Sequence, residues 1–391
     1  MIRTIKIGLL LLAVAALQSQ CRQKYVSPYV SPPTGYLVVE GYIAGNGPTQ
    51  FMLSRTIPLP GDTTVPPELG AKLQVEGNDN TVYPLAEQGN GTYGIDTLPL
   101  NPAVQYRLRI NTTGGEQYLS DLTSFKQTPA IDSINFISDA SGINIYVNTH
   151  DPANASHYYQ WNYTETWEYN TAEYSFFKYV PDTVPPTVVF RNPSEQIERC
   201  WHTDSSTSIF LGSTAKLSQD VVYKYPLNHL LPNSQIASVL YSMLVRQYAL
   251  TEDAYNYLSL MQKNSTSLGS IFDAQPSDLK GNIHCISNPA LQVIGYVSAG
   301  TMSQQRLFIY RRQIISNYSF TCAAPDIFVA LAADSLNKYF DPPYSYLIPY
   351  TPLLKHFNNQ GFWDGWIANR STCVDCTLQG GTNQKPSFWP N

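Results

Sequence analysis

Three observations predict a mainly β protein. Short runs that alternate apolar and polar residues recur between turn signals from Tyr36 onward, tyrosine is over-used at 28 residues, and a single stretch carries a convincing helical stripe. Charged residues make up 14% of the chain, against roughly 25% in ordinary domains, and the net charge is −5. That balance argues against nucleic acid as a partner, because backbone phosphates demand clustered Lys and Arg. A hydrophobic content of 43% suffices for packed cores.

The elements follow in chain order. Residues 1–20 carry basic Arg3 and Lys6, an apolar run from Ile7 to Leu17 and then small and polar residues, the pattern of a secretory signal. The run is shorter than the roughly 20 residues that cross a hydrocarbon core, so it reads as a cleaved leader. Cys21 follows directly, with Leu17 four positions before it, and is the expected lipidation site for acyl chains such as palmitate; a plain secreted protein is the alternative. Residues 21–35, rich in Pro and Ser, form the expected tether.

Residues 36–127 read as an immunoglobulin-like β-sandwich. Seven short runs, from "YLVVEGYIA" to "QYLSDLTSF", are separated by polar turns such as "GNGPT" and "GNDN". Residues 128–391 read as a larger β-rich domain. It opens with two strands around a Ser-Gly turn in "SINFISDASGINIYVNTHDPA". An aromatic segment follows in which Tyr159, Trp161 and Tyr163 alternate along one strand face. Two readings stand for that segment, a sheet packed on a core or a contact surface for a ligand or partner, with Trp167 in the same stretch. "GFWDGW", carrying Trp363 and Trp366, is the other candidate contact, since rings stack on sugars or cover peptide side chains.

One helix is expected near 251–265. Thr251 serves as N-cap, Glu252 and Asp253 complement the helix dipole, and Ala254, Tyr257, Leu258 and Met261 form an apolar stripe. From Asn317 the sequence reads as loop-rich, closing on a tail with Cys373 and Cys376.

Outside the cytoplasm cysteines pair. After Cys21 five remain, and Cys200, Cys322, Cys373 and Cys376 are the disulfide candidates in several open connectivities. Zinc would require a second close pair of ligands, and no histidine lies three or four positions from another. A redox pair belongs at a helix start within a βαβ unit, not beside turn residues. The catalytic templates are missing: no G-x-S-x-G, H-E-x-x-H or P-loop occurs. The S-x-x-K matches at Ser213 to Lys216 and Ser277 to Lys280 lack the downstream elements that such chemistry uses. The expectation is a protein without cofactor or catalytic residues that holds something; a surface adhesin and a hydrolase with an unrecognised site are the alternatives.

Three segments carry a resemblance: "YLVVEGYIAGNGPTQFMLSRT", the stretch from "YSMLVRQYALTEDAYNYLSLMQKNS" to "HCISNPALQVIGYVSAG", and "CVDCTLQGGTNQKPSFW". In that order they resemble a Bacteroidota outer-membrane lipoprotein family, domain of unknown function 4249, from about Leu37 to Trp389. The resemblance implies lipidation at Cys21, attachment to the outer membrane, and an accessory role in substrate capture or uptake beside a TonB-dependent receptor barrel; a glycan or peptide is the ligand class that the aromatic candidates suit. It implies no catalytic residues.

Overall fold

A computed structural model describes residues 35–57, 64–266, 280–315, 317–318, 321–322, 326–341 and 349–390. The expected leader, Cys21 and most of the tether lie outside these residues. The chain is mainly β, as the alternation predicts, with strands numbered here in chain order.

The first module holds β1 (Leu37–Ala44), β2 (Thr49–Arg55), β3 (Lys72–Gly77), β4 (Val82–Gly89), β5 (Thr92–Ile95), β6 (Gln105–Asn111), β7 (Gln117–Ser120) and β8 (Thr123–Lys126). Strict alternation turns Tyr106, Leu108 and Ile110 of β6 into the core and Arg107 and Arg109 outward. The two arginines grip Glu76 across the ladder at 2.8 and 2.5 Å. Three short strands that the sequence places in the second region complete this module instead: β18 (Ile283–Cys285), β19 (Val293–Gly295) and β20 (Ala299–Gly300). β20 lies between β1 and β8, and β8 also pairs with β6, so the path β6, β3, β4, β5, β2, β1, β20, β8 returns to β6. An immunoglobulin-like sandwich would keep two separate sheets. Here pairing is continuous around the module, which leaves fewer free edges.

The second module is two sheets face to face. One is β9 (Ile131–Asp139), β10 (Gly142–His150) and β16 (Val221–Leu230). The other orders β14 (Arg199–Ser205), β11 (Tyr158–Asn170), β17 (Leu240–Ala249) and β21 (Met302–Tyr310), with β15 (Phe210–Ser213) also on β11. The expected hairpin around Ser141 and Gly142 forms, and Gly142 adopts φ 136°, where a side chain would run into the Leu230 carbonyl.

Helix α1 (Glu252–Thr266) forms where the cap and stripe predict. The Thr251 hydroxyl accepts the Ala254 N–H at 3.2 Å, and Leu250 and Ala254 pack on Leu211 with Tyr158 and Tyr296 around them. Among the described residues no helix is long and apolar enough to cross a membrane.

The end of the chain is more ordered than its loop-like sequence suggests. β22 (Ile327–Ala330), β23 (Tyr350–Phe357) and β24 (Trp363–Arg370) form a three-stranded sheet with β24 central, the basis of a third module. Helix α2 (Ala333–Phe340) covers one face. A hairpin, β12 (Phe177–Val180) and β13 (Thr187–Phe190), packs against the same core of Val329, Leu336, Phe340, Trp366 and Ala368.

Two disulfides join these layers, Cys200 to Cys376 and Cys322 to Cys373. All four candidates are paired, while Cys285 is buried as a thiol. The tail is stapled to the edge of β14. Trp201 and Thr382 exchange backbone hydrogen bonds at 2.8 and 2.9 Å, and the Trp389 indole donates to Glu168 at 2.8 Å. Arg199 holds the other Glu168 oxygen at 2.6 Å.

Candidate functional site

The aromatic row of β11 is structural. Tyr159, Trp161, Tyr163 and Trp167 are at most 8% exposed and line the core between the two sheets of the second module. Trp161 stacks on Tyr225 at 4.5 Å, and its indole donates to Gln247 at 2.8 Å. Rings enclosed in this way offer no face to a ligand. The expectation that these four form a contact surface is therefore corrected to the packing alternative, and Trp366, 2% exposed, joins them as core of the third module.

Glu165 interrupts the row. It lies on the face shared by Tyr163 and Trp167, accepting from Tyr241 at 2.6 Å and from Asn228 at 3.1 Å. Burial pushes its carboxyl above the ordinary value, the Tyr241 hydrogen bond opposes that, and Asp204, directly across the ladder, adds to the rise. Among the described residues no group of three or more His, Cys, Asp or Glu could hold a metal ion.

The exposed counterpart of that row is the outer face of the β22, β24, β23 sheet. Phe328 stands opposite Ile367, which stands opposite Leu354, and Phe357 pairs with Trp363 at the far end. Gly365 lets the Phe328 ring lie across β24, since a side chain there would clash with it. Phe328, Leu354, Phe357, Phe362 and Trp363 are 42–68% exposed. The polar groups at hand are mutually engaged: His356 pairs with Asp364 at 2.6 Å, and the Lys355 ammonium sits 4.7 Å over the Trp363 ring. Antiparallel sheets with one covered face usually turn polar residues outward; this one does not. Of the predicted contacts only Trp363 belongs here. Phe328, Leu354, Phe357 and Phe362 were missed, although "LLKHFNNQGFW" reads as a hairpin whose arms are apolar on both sides.

Beside this sheet lies a cleft of about 430 Å³ between the β12, β13 hairpin, the end of α2 and the start of β23. Lys178, Tyr179, Arg191, Phe340, Asp341 and Tyr350 are among its walls. The Arg191 guanidinium donates to the carbonyls of Phe177 at 3.1 Å and Glu195 at 3.5 Å, and its Nε–H is shielded without an acceptor. Burial pulls Arg191 below its ordinary value, against the carboxylates of Asp375, Glu195 and Glu198. A second groove, about 450 Å³, separates α1 from the first module. Its Asn282 is already committed to both backbone groups of Val297.

A sequence profile described as a domain of unknown function (DUF4249) matches residues 23–306. The chain belongs to the DUF4249 family. The DUF4249 match spans the first two modules and the β12, β13 hairpin, and ends within β21. The apolar sheet face and the cysteine tail lie beyond it. A comparison with curated proteins finds no match.

Proposed function

We propose that the chain is an outer-membrane lipoprotein, acylated at Cys21, that serves as a non-catalytic binding or accessory component of a TonB-dependent nutrient-uptake complex. The observation that carries this reading is the exposed apolar face of the third module. Five large side chains, each about half exposed, leave on the order of 500 Å² of apolar surface, near the top of what a monomer ordinarily shows. A stable symmetric dimer needs about 800 Å² from each partner. The face is short of that on its own and fits one part of a larger interface whose rim is completed by polar loops. Its aromatic, charge-poor make-up is that of an interface centre, and the partner we assign to it is the receptor barrel.

Two disulfides that tie the tail to the fold suit an oxidising compartment, in keeping with export. The test is affinity purification of the tagged protein from detergent-solubilised outer membrane. A barrel receptor should co-purify, be lost with the Phe357→Ser/Phe362→Ser variant, and labelled palmitate should be incorporated except in Cys21→Ala. Recovery of the protein without any barrel, or equally with the face variant, overturns the docking role.

A further inference from the structure

The cleft next to the apolar face carries a separate conclusion. Its polar groups divide into those committed within the fold and those left over. Lys178 is held by Glu195 at 2.5 Å. Asp375 accepts from the Thr377 N–H and hydroxyl at 2.9 and 2.6 Å, and the Thr351 and Ser371 hydroxyls bond each other at 2.8 Å. Tyr179 donates to Asn337. Two charges remain. Among the described residues Arg191 has no carboxylate within ion-pairing distance, and the Asp341 carboxylate has no hydrogen-bond or ion-pair partner.

The carboxylates around Arg191 are themselves engaged. Glu195 takes Lys178 and the Asn192 N–H, Glu198 accepts the Ile197 N–H at 3.1 Å, and Asp375 caps the short turn Cys376–Gln379. They lower the local potential without closing on the guanidinium. A purely anionic ligand would be repelled by them, and a purely cationic one would leave Arg191 unanswered. A molecule with one charge of each sign meets both leftover groups. The space between them is walled by Tyr179, Phe340 and Tyr350, and a volume of about 430 Å³ lies within the roughly 300–1,000 Å³ of small-ligand sites.

We infer that this cleft binds a short zwitterionic peptide with an apolar side chain, its carboxylate on Arg191 and its amino end toward Asp341. The carboxylate meets a planar fork of N–H donors, a geometry that an arginine offers and a lysine does not. The apolar side chain lies against the ring wall. The inference deepens the capture role proposed above and rests on it for its biological use only, because binding in the cleft needs no receptor.

The test is calorimetric titration of the disulfide-intact protein with the tripeptide Gly-Gly-Phe, its C-terminal amide and its N-acetyl form. The free peptide should bind at least tenfold more tightly than either blocked form. Arg191→Gln should erase the difference between acid and amide, and Asp341→Asn the difference between free and acetylated amine. Arg191 also supports the Phe177 carbonyl, so Arg191→Lys is the folding control. Asp341 lies on the exposed rim, and its variant keeps the test decisive if the arginine variants unfold. Equal binding of the three peptides, or none at millimolar concentration, overturns the inference. Receptor co-purification is read on the sheet-face variant and fails or succeeds independently of these titrations.

Discussion

Strand β11 and the hairpin of β23 and β24 are both rich in aromatic residues, and those residues end in opposite environments. In β11 the rings of Tyr159, Trp161 and Tyr163 are roofed by β9, β10 and β16, with Ile145, Val147 and Leu227 among the residues that meet them. In the hairpin of β23 and β24 one face carries Trp366 into the core under α2, while Trp363, Phe357 and Leu354 stand open on the other. Alternation fixes which side chains share a face. Whether a second layer covers that face depends on chain that is remote in sequence.

The comparison can be broken at several points. Trp161→Ala should have the largest effect, a loss of about 3–5 kcal/mol in urea unfolding, because it opens a cavity and strands the Gln247 carbonyl it now donates to. A loss below about 1 kcal/mol would mean the row is not the core. Next, Cys200→Ser with Cys376→Ser frees the tail from β14. The expected cost is about 2–4 kcal/mol, with faster proteolysis around Thr382 as a second readout.

The two modules should also differ in their response to acid. Burial alone would raise the Glu76 carboxyl, but hydrogen bonds from Arg109, Gln74 and Arg107 outweigh it and hold the group at about 2, below its ordinary 4.5. A depressed folded value means the contribution is complete above about 4.5 and is lost as pH falls toward about 2. Glu165 has the reverse sign: its folded value is raised, so its ionisation weakens the fold as pH climbs past the unfolded carboxylate range. Glu76→Gln should flatten the acid side of the stability profile and Glu165→Gln the side toward neutrality, both read as unfolding midpoints against pH. Profiles unchanged by either variant would remove the contrast. The smallest stability effect is expected at the open face. Phe357→Ser with Phe362→Ser should stay within about 0.5 kcal/mol while abolishing receptor capture, and a loss like that of Trp161→Ala would show that the face is covered after all.

Much of the fold was legible from particular residues. Thr251 with Glu252 and Asp253 marked α1, the Ser-Gly turn marked the hairpin of β9 and β10, and the four disulfide candidates were the four cysteines that pair. The third module was not legible, because its strands are short and interrupted and their pairing joins 327–330 to 365–368. The roles of Arg191 and Asp341 were hidden for a similar reason. Both look like ordinary surface charges until every neighbouring polar group is accounted for.

The sequence by itself determined the β character, the face on which each aromatic residue sits, the helix start and which thiols would be oxidised, since these depend on period, capping and composition acting over a few residues. Only the tertiary structure decided that 283–300 closes the first ladder, which cysteine meets which, and that one aromatic face is roofed while the other is left bare. Those outcomes follow from contacts between segments far apart along the chain, where burial and backbone pairing are settled by what else comes to lie alongside.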